Sequence, residues 1–101
     1  MLTLWQAEWC RQSAEVRERL TELGVDVMLR QVAAEPRKRY ELLSRFDETS
    51  VPILELGNGH HIAGADPIVA WLDEHYEERD DALLHRNRAE RAREFAVAAA
   101  R

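Results

Sequence analysis

A chain of 101 residues has room for one hydrophobic core, and 46% hydrophobic with 33% charged residues describes a folding chain, not a disordered one. Fourteen basic against nineteen acidic side chains leave a net charge of −5, the wrong sign for binding nucleic acid. The single cysteine, Cys10, excludes an internal disulfide, a disulfide framework and a CxxC zinc site, so any redox chemistry must use one thiol and a partner molecule.

No apolar run approaches the roughly 20 residues of a membrane helix. Met1–Trp5 lacks the basic and long apolar regions of a signal peptide. The expectation is a cytoplasmic protein with no membrane partner.

Leu2–Trp5 reads as a first strand, with Trp9 and Cys10 following a short polar turn. From Arg11 to Leu23 the apolar residues Val16, Leu20 and Leu23 recur on one helical face. Gly24 suits the left-handed position that ends a helix. Val25–Val32 alternates apolar and polar residues and is expected to be a strand. Pro36 opens a helix running to Phe46, with Tyr40, Leu43 and Phe46 inward. Pro52–Leu56 is the third strand, its proline at the start where a missing N–H is tolerated.

Gly57-Asn58-Gly59 predicts a type I′ hairpin turn into a fourth strand, His60–Ala63. Gly64 ends that strand, and Asp66-Pro67 reads as an N-cap followed by proline at the first helical position. That helix reaches Tyr76 with Ile68, Val69, Leu72 and Tyr76 inward. After a charged connector, Glu77–Asp81, residues Arg86–Ala100 form a last helix whose inward face is Ala92, Phe95, Ala96 and Ala99. The order is β-α-β-α-β-β-α plus one helix, which a four-stranded mixed sheet covered on both faces satisfies.

Cys10 stands where the first strand hands over to the first helix. Free N–H groups and the helix dipole stabilise an anion there, so a thiolate is expected below the ordinary thiol value of about 8.5. Arg11 adds positive charge, Glu8 opposes it, and the Ser13 hydroxyl could donate to the sulfur. The competing reading is that Cys10 is an inert small hydrophobe. His60 and His61 point to opposite faces of a strand and cannot chelate together; with His75 and His85 in no ligand pattern, no metal site is expected. Trp5 and Trp71 read as packing residues, and Trp9 as a rim open to partners.

Trp9-Cys10-Arg11-Gln12-Ser13 after the first strand, Ser50-Val51-Pro52 before the third, and Gly64-Ala65-Asp66 before the third helix, taken in this order, resemble the thioredoxin superfamily. Within it, residues 1–77 are similar to glutaredoxins and the glutathione transferase N-terminal domain. The resemblance implies that Cys10 is the nucleophile of a monothiol Cys-x-x-Ser motif with Ser13. It implies that Val51 offers its backbone to the cysteinyl part of glutathione, and that Pro52 is cis and faces the sulfur. Ala65 and Asp66 would hold the γ-glutamyl end, and Arg37 or Arg39 could reach the glycine carboxylate.

Three positions depart from the pattern. Arg11 stands where a proline is usual, Ala7 where glutaredoxins often carry a basic residue, and Pro67 where a second acidic or N–H-donating residue is common. Arg11-Gln12 replaces the Gly-Phe of cluster-carrying monothiol glutaredoxins, and after Tyr76 one extra helix is expected where a transferase has its helical second domain.

The expected architecture is an α/β thioredoxin-like fold over residues 1–77, with 78–101 a connector and helix packed on or extending the same domain, or meeting a second subunit. The expected function is glutathione-dependent (or similar small-thiol-dependent) thiol–disulfide exchange through Cys10. Trp9, Arg11, Arg37, Arg39, Val51, Pro52, Ala65 and Asp66 would bind the substrate. The partners would be glutathione and a glutathionylated or disulfide-bearing protein, with no resident cofactor. The alternative is a non-catalytic binding module that docks a partner in the Cys10–Pro52 groove.

Overall fold

In the computed structural model, which describes residues 1–99, a four-stranded mixed sheet runs in the order β2-β1-β3-β4. β1 (Leu2–Gln6) pairs parallel with β2 (Val27–Gln31) and antiparallel with β3 (Ile53–Glu55), which pairs antiparallel with β4 (His61–Ala63). The period-2 pleat sorts the apolar residues onto two faces. Leu4 and its partner Leu54 pack with Val16, Leu20, Leu23, Ile68 and Leu72, under α1 (Arg11–Leu23) and α3 (Ala65–His75). Trp5 and its partner Ile53 face the other way, against Leu42 and Phe46 of α2 (Tyr40–Phe46). This is the thioredoxin-like fold, and α1 has the bounds its periodicity predicts.

Several elements differ locally from expectation. β2 is shorter than Val25–Val32 because Gly24 takes the left-handed conformation (φ 66°) and the Val25 N–H closes back onto the Leu20 carbonyl at 3.0 Å. Instead of one helix from Pro36, a 3₁₀ turn (Pro36–Lys38) is separated from α2 by Arg39, whose ψ of 60° breaks the helix. The break re-aims α2. Leu42 and Phe46 are buried, whereas Tyr40 and Leu43, expected inward, are 72% and 47% exposed.

The hairpin is not type I′. Among Gly57, Asn58 and Gly59 only Gly59 has positive φ, with Gly59 N–H reaching Leu56 O and Leu56 N–H reaching His60 O. Two ordinary turn residues followed by a left-handed glycine make a three-residue loop, which removes His60 from β4.

α3 begins at Ala65 with Gly64, not Asp66, as its N-cap. The Gly64 carbonyl accepts from Ile68 N–H, so Asp66 lies inside the first turn. Tyr76, expected inward, lies beyond the helix and is exposed.

The last helix, α4, spans Ala82–Ala99 and starts four residues before the expected Arg86, since the Asp81 carbonyl already accepts from His85 N–H. The predicted end at Ala100 lies outside the described residues. Its expected inward residues Ala92, Phe95, Ala96 and Ala99 are exposed. α4 meets α1 instead through charged contacts, Arg86 with Glu22 and Arg93 with Glu18 at 2.7 Å, while Arg86 also pairs with Glu78 of the connector and Ala82 at the helix start is buried. Among the described residues no helix is long and apolar enough to cross a membrane.

Candidate active site

The turn after β1 closes with a bond from Cys10 N–H to Ala7 O, and the Cys10 carbonyl accepts the first helical bond, from Ala14. Cys10 is therefore the N-cap of α1, and its thiol stands beside the free N–H groups of the first turn. The sulfur is partly exposed. Its thiol hydrogen faces Gln12 Oε1 at 3.5 Å. Ser13, one turn in, is fully buried; its hydroxyl accepts from Ala7 N–H at 3.4 Å and has its own proton left to give to the sulfur.

Burial pushes the Cys10 thiol up. This is outweighed by hydrogen bonds from the Ser13 hydroxyl and from the Ser13 and Gln12 N–H groups, with Arg39 adding a favourable charge, so the thiol sits below its ordinary value. The cation that favours the thiolate is thus Arg39, which precedes α2 and lines the same cleft. Arg11, adjacent in sequence, is exposed and does not line the cleft.

The sulfur opens into a cleft of about 820 Å³ walled by Trp9, Ser50, Val51, Pro52, Gly64, Ala65 and Asp66. The Val51–Pro52 peptide is cis. Among the described residues the Val51 N–H and C=O make no backbone hydrogen bond. Gly64 N–H bonds Pro52 O at 3.0 Å, which seats the start of α3 beside the cis peptide. Gly64 adopts φ 96°, a conformation that L side chains resist. Trp9 is 69% exposed on the rim.

The two candidate arginines part company. Arg37 is exposed, bonded to Glu35 at 2.9 Å, and outside the cleft lining. Arg39 lines the cleft but is 7% exposed, its guanidinium donating to Ala33 O (2.8 Å), Thr49 O (2.7 Å) and Ala34 O (3.3 Å). It ties two loops together beside the sulfur. The cleft also contains Gln12, Glu15, Ala34, Pro36 and Ser50, which sequence reasoning did not select. Gln12 and Glu15 were legible as neighbours of Cys10 at a helix start; Ala34 and Pro36 carried no local signal.

The sequence over residues 4–80 matches the family model of the glutathione S-transferase N-terminal domain. The chain belongs to that family. Solved structures agree with this transferase domain. A glutathione S-transferase domain-containing protein from Marinobacter aquaeolei VT8 is 26% identical, covering 74% of this chain and 38% of its own, with a TM-score of 0.65. A glutathione S-transferase from Sinorhizobium meliloti 1021 is 27% identical, covering 73% and 32%, also at 0.65. The glutathione S-transferase from Methylobacillus flagellatus, solved with GSH bound, shares the fold at 23% identity, 72% and 36% coverage, and a TM-score of 0.63. The chain spans about a third of the length of these proteins. No curated protein matches the sequence.

Proposed function

We propose that this transferase-type domain is a glutaredoxin-like oxidoreductase that works with one cysteine and with glutathione or a similar small thiol. The Cys10 thiolate attacks the glutathionyl sulfur of a mixed disulfide. A Cys10–glutathione disulfide forms, the protein–glutathione disulfide breaks, and the protein leaves as thiolate. A second glutathione thiolate then attacks that disulfide, releasing oxidised glutathione and restoring the Cys10 thiolate. With Ser13 at the second motif position no internal thiol competes, and the reduced thiol pool of the cytoplasm would supply the reductant.

The observation that carries this reading is the juxtaposition in one cleft of a sulfur held below its ordinary pKa and the free backbone edge of Val51. Val51 would pair with the cysteinyl backbone of the thiol, and the first turn of α3 with its γ-glutamyl end. The GSH bound by the Methylobacillus transferase is consistent with such a ligand. Incubation with oxidised glutathione followed by intact-mass analysis should give one adduct, absent in Cys10→Ser. A thiolate titration returning a pKa at or above the free value of about 8.5 would remove the mechanism.

The placement of the arginines favours a second reading. Arg37 lies outside the cleft lining and Arg39 is committed to three carbonyls, so among the described residues the glycine carboxylate meets no uncommitted guanidinium in the cleft. A docking module that holds a partner chain without turnover needs no such anchor. In that case Cys10→Ser would keep partner binding, and Val51→Arg would abolish it.

A further inference from the structure

The cleft that holds Cys10 has an uneven charge. Glu15 and Asp66 line it, and Arg39 is its one cation among the described residues. Arg39 is committed to the carbonyls of Ala33, Ala34 and Thr49, and its charge favours the Cys10 thiolate. Glu15 and Asp66 have no ion-pair partner among the described residues, whereas Glu18 and Asp73 farther along α1 and α3 are held by Arg93 and Arg19. Both free carboxylates also line the groove between α1 and α3 that continues from the cleft, which gives an extended chain a path away from the sulfur.

We infer that this site selects mixed disulfides whose departing cysteine is flanked by Lys or Arg, with Glu15, which stays free when the γ-glutamyl end takes Asp66, setting the preference. The inference rests on the exchange reading above. Chemically it adds only a choice of leaving group: the Cys10 thiolate takes the glutathionyl sulfur, and the peptide departs as thiolate. A basic flank lowers the cost of bringing the disulfide into a cleft lined by Glu15; an acidic flank raises it.

The test uses three glutathionylated peptides, identical except for Lys, Gln or Glu on either side of the cysteine. Transfer of the glutathionyl group to Cys10 of the full chain is followed by quenched mass spectrometry. Each rate is divided by that of the same peptide with N-acetylcysteinamide, a neutral thiol, which removes differences in leaving-group acidity. The Lys peptide should exceed the Glu peptide by about tenfold at low ionic strength, and the ratio should collapse in ~0.5 M salt. Glu15→Gln should lower the ratio several-fold, and Glu15→Lys should invert it. Because the ratio is taken at one pH within each variant, changes in thiolate fraction cancel. Equal normalised rates, or a ratio that Glu15→Gln does not move, overturn the charge selection alone. No transfer from any peptide overturns the exchange reading with it.

Discussion

Replacing Arg39 by lysine separates its two roles. The guanidinium donates to three backbone carbonyls at 2.8, 2.7 and 3.3 Å from a side chain almost wholly removed from water. Hydrogen bonds to a charged donor contribute about 1.5–3 kcal/mol each. An ammonium on a flexible stem can reach one of the three carbonyls but cannot copy the planar fork. Two bonds are therefore lost, and allowing for partial rehydration of the freed carbonyls the net cost is about 2–3 kcal/mol. For a chain of this size that lowers Tm by roughly 10–20 °C.

The positive charge stays, so the Cys10 thiol should remain depressed in Arg39→Lys and rise only in Arg39→Gln. Urea denaturation gives the first quantity, and thiolate absorbance against pH gives the second. A loss below about 0.5 kcal/mol in Arg39→Lys would refute the role assigned to the fork.

Ser13→Ala should raise the Cys10 thiol and slow adduct formation near neutral pH, because the thiolate loses its hydroxyl donor. The sign for stability follows from a folded thiol that ionises more readily than the unfolded one. Relative to Cys10→Ala, the native chain gains stability that is complete above the unfolded value of about 8.5 and lost as pH falls through the folded value, and Ser13→Ala should narrow that window. Leu42→Ala should cost about 2–5 kcal/mol in urea melts, since this side chain is 1% exposed and fills the core under Trp5. Arg86→Ala should cost less than about 1 kcal/mol but speed hydrogen exchange in α4, which is held to α1 largely by exposed ion pairs.

Within the chain, legibility followed the range of the forces. The Val16-Leu20-Leu23 stripe and Gly24 define α1 because helical periodicity and a left-handed cap are local properties. The one core expected from chain length is split across the two faces of the sheet, with Leu4 in one cluster and Trp5 in the other, because successive residues of β1 point to opposite sides. The inward face of α2 was misread because the break at Arg39 depends on carbonyls of Ala33, Ala34 and Thr49, contributed by two loops. Phe95 and its neighbours looked like a core face because helical period alone does not say whether a partner surface exists.

The order of elements, the place of Cys10 at a helix start and the turn glycines were determined by the sequence alone, because steric limits on φ and apolar periodicity act over a few residues. Which cation acts on the sulfur, which arginine lies in the cleft, and that Glu15 and Asp66 share a wall with Pro52 were decided only by the tertiary structure. Those relations join residues distant in the chain, and distance through space, not along the chain, governs their electrostatics and hydrogen bonds.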